Sequence, residues 1–107
     1  MRRALNIGVD RQEMIDNVLN GYGSPAYSVC DQMPWYNPAS EVEYDPEGAA
    51  ALLDQAGWVL GSDGVREKDG VKAELTLLYS NGDSVRQALT ADFASQMEEL
   101  GISCTIE

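Results

Sequence analysis

The chain contains no histidine. That absence removes the usual neutral-pH general base, every Ser-His or Cys-His nucleophile pair and all imidazole metal ligands from within these residues. Positive charge is scarce as well: 7 lysines and arginines stand against 18 aspartates and glutamates, for a net charge of −11. Nucleic acid and anionic membrane both select basic surfaces, so neither is an expected partner. No apolar run approaches the roughly 20 residues that a spanning helix needs. Only two cysteines occur, Cys30 and Cys104, in neither a CxxC nor a zinc-site spacing. They fit either two buried thiols or one disulfide. Residues 1–20 do not read as a secretory signal, because Asp10, Glu13 and Asp16 interrupt any apolar core.

What is present suits one small globular unit. The 107 residues are 44% hydrophobic, which argues against disorder. A chain of this size buries roughly 65% of its unfolded surface, enough for one modest core.

Helix signals come first. Ala4, Leu5 and Ile7 give an opening helix some apolar face, with Gly8 loosening its end. Asp10 is placed to cap a second helix, with Glu13 reaching back as in a capping box. Met14, Ile15, Val18 and Leu19 form its stripe and Gly21 is a left-handed stop. The stretch "YGSPAYSVCDQMPWYNPAS", rich in proline and aromatics, predicts a long irregular loop. Its Tyr27, Trp35 and Tyr36 either cover core edges or line a cleft.

In "DPEGAAALLDQAGW", Asp45 caps, Pro46 takes the first helical position and Gly57 ends the helix. Ala49, Ala50, Leu52, Leu53 and Ala56 supply a buried side small enough for close approach to a neighbour. A short strand follows Trp58, then turns at Asp63-Gly64 and Asp69-Gly70, then a long strand in which Val71, Ala73, Leu75, Leu77 and Tyr79 alternate with polar residues. Leu78 predicts cover on both faces late in that strand. A last helix has Ser84 and Gln87 as its capping box, an apolar stripe of Val85, Leu89, Phe93, Met97 and Leu100, and Gly101 as its stop. "ISCTIE" closes as a strand, and strand, crossover helix and strand together fit a parallel βαβ unit.

Motifs for chemistry are missing. There is no phosphate loop, no nucleophile elbow and no metalloprotease helix signature. Gly21-Tyr22-Gly23 lacks the flanking strand and helix of a dinucleotide site. A calcium loop built on Asp63-Gly64 would have no carboxylate at its first, third or last position. Glu41, Glu43, Glu98 and Glu99 read as solvated faces rather than a catalytic carboxylate pair. No catalytic residue, metal ligand or cofactor is expected.

Four stretches in order, "RRALNIGVDRQEMIDNVLNGYGSPA", "YDPEGAAALLDQAGW", "DGVREKDGVKAELTLLY" and "RQALTADFASQMEELGISCTIE", resemble the family 5 extracellular solute-binding proteins, the peptide and nickel receptors of ABC importers. The resemblance implies an α/β fold: part of one lobe of a bilobal periplasmic-binding-protein-like (type II, peptide-receptor-like) architecture, with three to four helices and a small mixed sheet. Residues 1–107 would form a single subdomain of the large C-terminal lobe. The function it implies is capture of a peptide, nickel chelate or similar small solute outside the cytoplasm, in the periplasm or on a lipid anchor, and delivery to a membrane permease without catalysis. Tyr27, Trp35 and Tyr36 are the candidate ligand-binding residues, since aromatic platforms suit such ligands. Self-association through a strand edge or the helical face of residues 1–9 is a further expectation. The competing reading is a stand-alone protein-interaction module using the same aromatic loop.

Overall fold

A computed structural model describes every residue except Cys30 and Asp31. Among the described residues four helices and five short strands follow one another: α1 (Arg2–Ile7), α2 (Arg11–Val18), α3 (Pro46–Gln55), β1 (Val59–Leu60), β2 (Arg66–Lys68), β3 (Val71–Lys72), β4 (Glu74–Leu77), α4 (Ser84–Glu99) and β5 (Ser103–Ile106). Among the described residues between α2 and α3, the chain is irregular apart from a 3-10 turn at Pro38–Ser40.

The core is built from small and medium side chains: Ala4, Val9, Ala49, Leu53, Ala73, Met97, Leu100 and Ile102. Alanines on α1 and α3 let those helices lie close, and the cap of α3 is tied to the end of α1 by the Asp45 N–H donating to the Ile7 carbonyl at 2.8 Å. Gly8 does more than loosen the end of α1. Its φ of −84° is open to any residue, but an added Cβ would stand 2.5 Å from Leu100 Cδ1 and 3.3 Å from Ala49 Cβ. The glycine is therefore required by three-helix packing rather than by backbone conformation.

Capping chemistry follows the sequence at two helices and departs from it at a third. Asp45 accepts the Gly48 N–H at 2.9 Å, with Pro46 in the first turn. Asp10 accepts the Glu13 N–H at 3.0 Å. The return arm of that capping box is not Glu13, however: the Asp10 N–H donates to Gln96 Oε1 at 2.7 Å, and Gln96 Nε2 donates to the Asp10 carbonyl at 3.2 Å. A side chain 86 positions away thus does the work expected of a local one and pins α2 to α4. At α4 the cap is Asp83, which accepts from the N–H groups of Val85 and Arg86 at 3.0 Å each, so the Ser84–Gln87 box does not form. An aspartate one residue earlier offers a charged acceptor to the same unpaired donors and wins.

Parallel and antiparallel pairing are both present, divided between two small sheets. β1, β2 and β3 form an antiparallel ribbon, while β4 and β5 run parallel, joined by the crossover helix α4. The single long strand expected over residues 71–79 is split at Ala73. That residue donates its N–H to the Arg66 carbonyl of the ribbon at 2.7 Å and accepts from the Ser103 N–H of the parallel pair at 2.9 Å, so it belongs to both. The Asp69-Gly70 turn of the ribbon has both φ angles positive, 52° and 81°, as a two-residue type I′ hairpin requires.

Cover on both faces at Leu78 is not found: its side chain is 76% exposed. The stripe of α4 also sinks along its length, from Val85 at 43% exposed to Met97 fully buried. Packing against α4 is concentrated at its C-terminal half, which leaves the loop between β4 and α4 open at the rim.

Candidate functional site

The three aromatic residues nominated from sequence sit in the irregular segment and differ in what they offer. Tyr27 is half-buried, and the Arg11 guanidinium lies over its ring at 5.6 Å from the centroid, which docks the loop on α2. Arg11 is in turn held by Asn6, whose side-chain oxygen accepts at 2.5 Å. Tyr36 is half-buried and donates its hydroxyl to Glu41 Oε1 at 3.2 Å. Trp35 alone is broadly open, at 69% exposed, with Met33 and Tyr22 also exposed in the same segment. Two of the three therefore have local contacts that order the loop, and one presents its ring outward.

A second location emerges only from the topology. In open α/β sheets, ligands gather beyond the carboxyl ends of parallel strands. β4 ends at Leu77, and the chain turns through Leu78, Tyr79 and Ser80 into α4. Leu78, Tyr79, Ser80, Arg86, Leu89 and Thr90 line a wide, shallow cavity of about 540 Å³ there. Arg86 orders the rim: Nη1 donates to Ser80 Oγ at 3.0 Å and Nε lies 3.2 Å from Asp83 Oδ2. The site offers an arginine paired with Asp83, the hydroxyls of Tyr79, Ser80 and Thr90, and apolar walls on an otherwise acidic chain. It was missed from sequence because its residues gain meaning only once β4 and β5 are known to be parallel neighbours; the strand-helix-strand pattern was the available signal.

A cavity of about 530 Å³ lies on the other flank of α4, between Asp63–Val65, the small residues Ala91, Ala94 and Ser95, and Gly101–Cys104. Cys104 at its edge is a half-buried free thiol, and burial pushes its pKa up, away from a reactive thiolate. Cys30, the other half of the proposed pairing, lies outside the described residues. Near this cavity Lys72 Nζ donates to Asp63 Oδ2 at 2.6 Å. That bond holds the Asp63 carboxyl below its ordinary range and the Lys72 ammonium above its own. Tyr44, at a third and smaller cavity, is shifted upward by partial burial and then by the carboxylates of Asp10, Glu99 and Glu13.

One residue passed over in the sequence holds these surfaces together. Arg66 reads there as an ordinary hairpin residue, yet it is buried. Its Nε donates to the Leu100 carbonyl at 2.6 Å, and Nη1 donates both to the Trp58 carbonyl at 2.8 Å and to Asp54 Oδ1 at 2.6 Å. It links the C-terminal ends of α3 and α4, where unpaired carbonyls concentrate negative potential. Among the described residues no group of three or more Cys, Asp or Glu side chains is placed to hold a metal ion. Among the same described residues no helix is long and apolar enough to cross a membrane.

This arrangement of helices, split sheets and strand-end loop matches known proteins over its whole length. The family profile "Bacterial extracellular solute-binding proteins, family 5 Middle" matches residues 1–107. The chain belongs to family 5 of the extracellular solute-binding proteins. Among the similar proteins, Protein XP55 of Streptomyces lividans is 44% identical over 108 residues, covering 100% of this chain and 20% of that protein. The oligopeptide-binding protein AppA of Bacillus subtilis, solved with a nonapeptide, superimposes with a TM-score of 0.87 at 31% identity over 99% of this chain and 22% of its own. NikZ of Campylobacter jejuni, solved with Ni(L-His), gives 0.89 at 30% identity over 99% and 22%. The chain spans about a fifth of the length of the curated relatives it matches. AppA and the nickel-binding periplasmic protein of Escherichia coli are named as binding proteins, and the family as described is extracellular.

Proposed function

We propose that the chain is a subdomain of the large C-terminal lobe of an ABC importer's solute-binding protein. The whole protein captures a peptide, a nickel chelate or a similar small solute, closes around it, and presents it to a membrane permease. It carries out no chemistry on that solute. It works outside the cytoplasm, free in the periplasm or lipid-anchored at the cell surface. The observation that carries this reading is the backbone itself, which superimposes over nearly its full length on receptors holding a nonapeptide and Ni(L-His).

Within the chain, the strand-end cavity and the open ring of Trp35 are the surfaces we assign to contact with ligand or the opposite lobe. Tyr27 and Tyr36 serve beside Trp35 by ordering its loop. The test uses the whole protein carrying this chain, titrated calorimetrically with di- to oligopeptides and with nickel-histidine. Saturable binding of one class without turnover is expected. Hydrolysis of a peptide or ester, or failure of every class to bind, would overturn the reading.

An interaction module working alone is disfavoured, because the parallel pair has no strand on either outer edge among the described residues. Those edges also support self-association of the 107-residue unit when studied apart. Sedimentation that stays monomeric at high concentration would refute it.

A further inference from the structure

Two Asn-Gly pairs occur in the chain, Asn20-Gly21 and Asn81-Gly82. Glycine leaves its own backbone nitrogen unhindered and the chain around it pliable, so that nitrogen can approach the preceding asparagine's side-chain carbonyl. All four residues are exposed. Their backbone surroundings differ. The Gly21 N–H donates to the Ile15 carbonyl at 3.2 Å in the closing turn of α2, where the Leu19 N–H shares the same acceptor at 2.9 Å. Moving that nitrogen toward Asn20 means opening the helix end. Gly82 stands in the turn between β4 and α4 with φ of +86°, and nothing lies within 4 Å of where a Cβ would project. Among the described residues its N–H has no acceptor.

We infer that Asn81 is a spontaneous deamidation site, and that the fold protects Asn20. The Gly82 nitrogen gives its proton to solvent base and attacks the Asn81 side-chain carbonyl carbon, forming a C–N bond. The tetrahedral adduct collapses with cleavage of the original Cγ–Nδ2 bond, whose electron pair leaves with nitrogen and takes up a proton as ammonia. One water then opens the five-membered imide at either carbonyl. Opening at the side-chain carbonyl gives aspartate with the original main chain; opening at the backbone carbonyl gives isoaspartate, with one extra methylene in the main chain. Either product adds a carboxylate two residues before the Asp83 cap and beside the loop that bounds the strand-end cavity. The chemistry stands whether or not that cavity takes a solute.

The intact protein is incubated folded in mildly alkaline buffer and peptide-mapped by mass spectrometry. A gain of about one dalton is expected at the Asn81 peptide, split between aspartyl and isoaspartyl products. It should accumulate about two- to tenfold faster than at Asn20, the factor that one backbone hydrogen bond carries. In denaturant the two rates should converge, and Asn81→Gln should abolish the signal at its own site. No gain at Asn81, or equal or faster modification of Asn20 in the folded protein, would overturn the inference. So would a rate ratio that persists in denaturant, since local sequence and not the fold would then set it.

Discussion

Replacing Arg66 with methionine asks whether the buried guanidinium acts through its ion pair or through the carbonyls it holds. Its side chain is 7% exposed, whereas its partner Asp54 is 67% exposed. Loss of the arginine leaves the Leu100 and Trp58 carbonyls without this donor. Each buried acceptor so abandoned costs about 1–3 kcal/mol. Methionine restores some apolar contact and spares the desolvation of a cation, which offsets part of that cost. The net expectation for Arg66→Met is a loss of about 2–4 kcal/mol. Asp54→Ala should cost no more than about 1 kcal/mol, because water replaces an exposed carboxylate readily. Arg66→Lys should fall between, since an ammonium lacks the planar fork that reaches both carbonyls. Urea unfolding of the single variants and of the double variant closes the cycle. If Asp54→Ala destabilises as much as Arg66→Met, the ion pair is what matters and the carbonyl account fails.

Gly8→Ala should destabilise by about 1–3 kcal/mol through overpacking, and trimming the opposing side chain with Leu100→Val should recover part of it; additive losses in thermal unfolding would count against the clash. Asp83→Ala should cost about 0.5–2 kcal/mol and fray the start of α4 by hydrogen exchange, while Ser84→Ala should be nearly silent; the reverse order would restore the Ser84 cap. The Asp63–Lys72 pair should give a small stability contribution that is salt-screened. Asp63 is shifted down, so its share is present above the ordinary carboxylate pKa and fades as pH falls through the lowered one. Lys72 is shifted up, so its share is present below the ordinary lysine pKa and fades as pH rises through the raised one. Lys72→Ala should remove the alkaline limb and shrink the acid one, since the Val65 N–H still donates to Asp63, and a stability–pH curve unchanged by that substitution would show that the pair contributes nothing.

Much of the local structure was legible because it is encoded within a few residues. Asp45 followed by Pro46, the Asp69-Gly70 turn and the glycines after α3 and α4 act through neighbouring backbone groups, and each does what its type predicts. The failures share a different cause. Glu13 lost its reciprocal role to Gln96, and the strand over residues 71–79 broke at Ala73, because in both places a group distant in sequence supplied the hydrogen bond. The aromatic candidates were chosen by residue type alone. Type does not reveal that Arg11 occupies one ring and Glu41 the hydroxyl of another.

Composition and short-range pattern by themselves determined an acidic, histidine-free α/β unit with its helices and turns in place, since propensity, capping and periodicity act over one or two turns of chain. Tertiary structure alone decided that Gly8 must be small, that Arg66 is buried, and that the end of β4 forms a rim with Arg86. Those properties depend on which distant groups approach within a few ångströms, and such contacts between parallel strands, helix ends and the core leave no periodic trace in the order of residues.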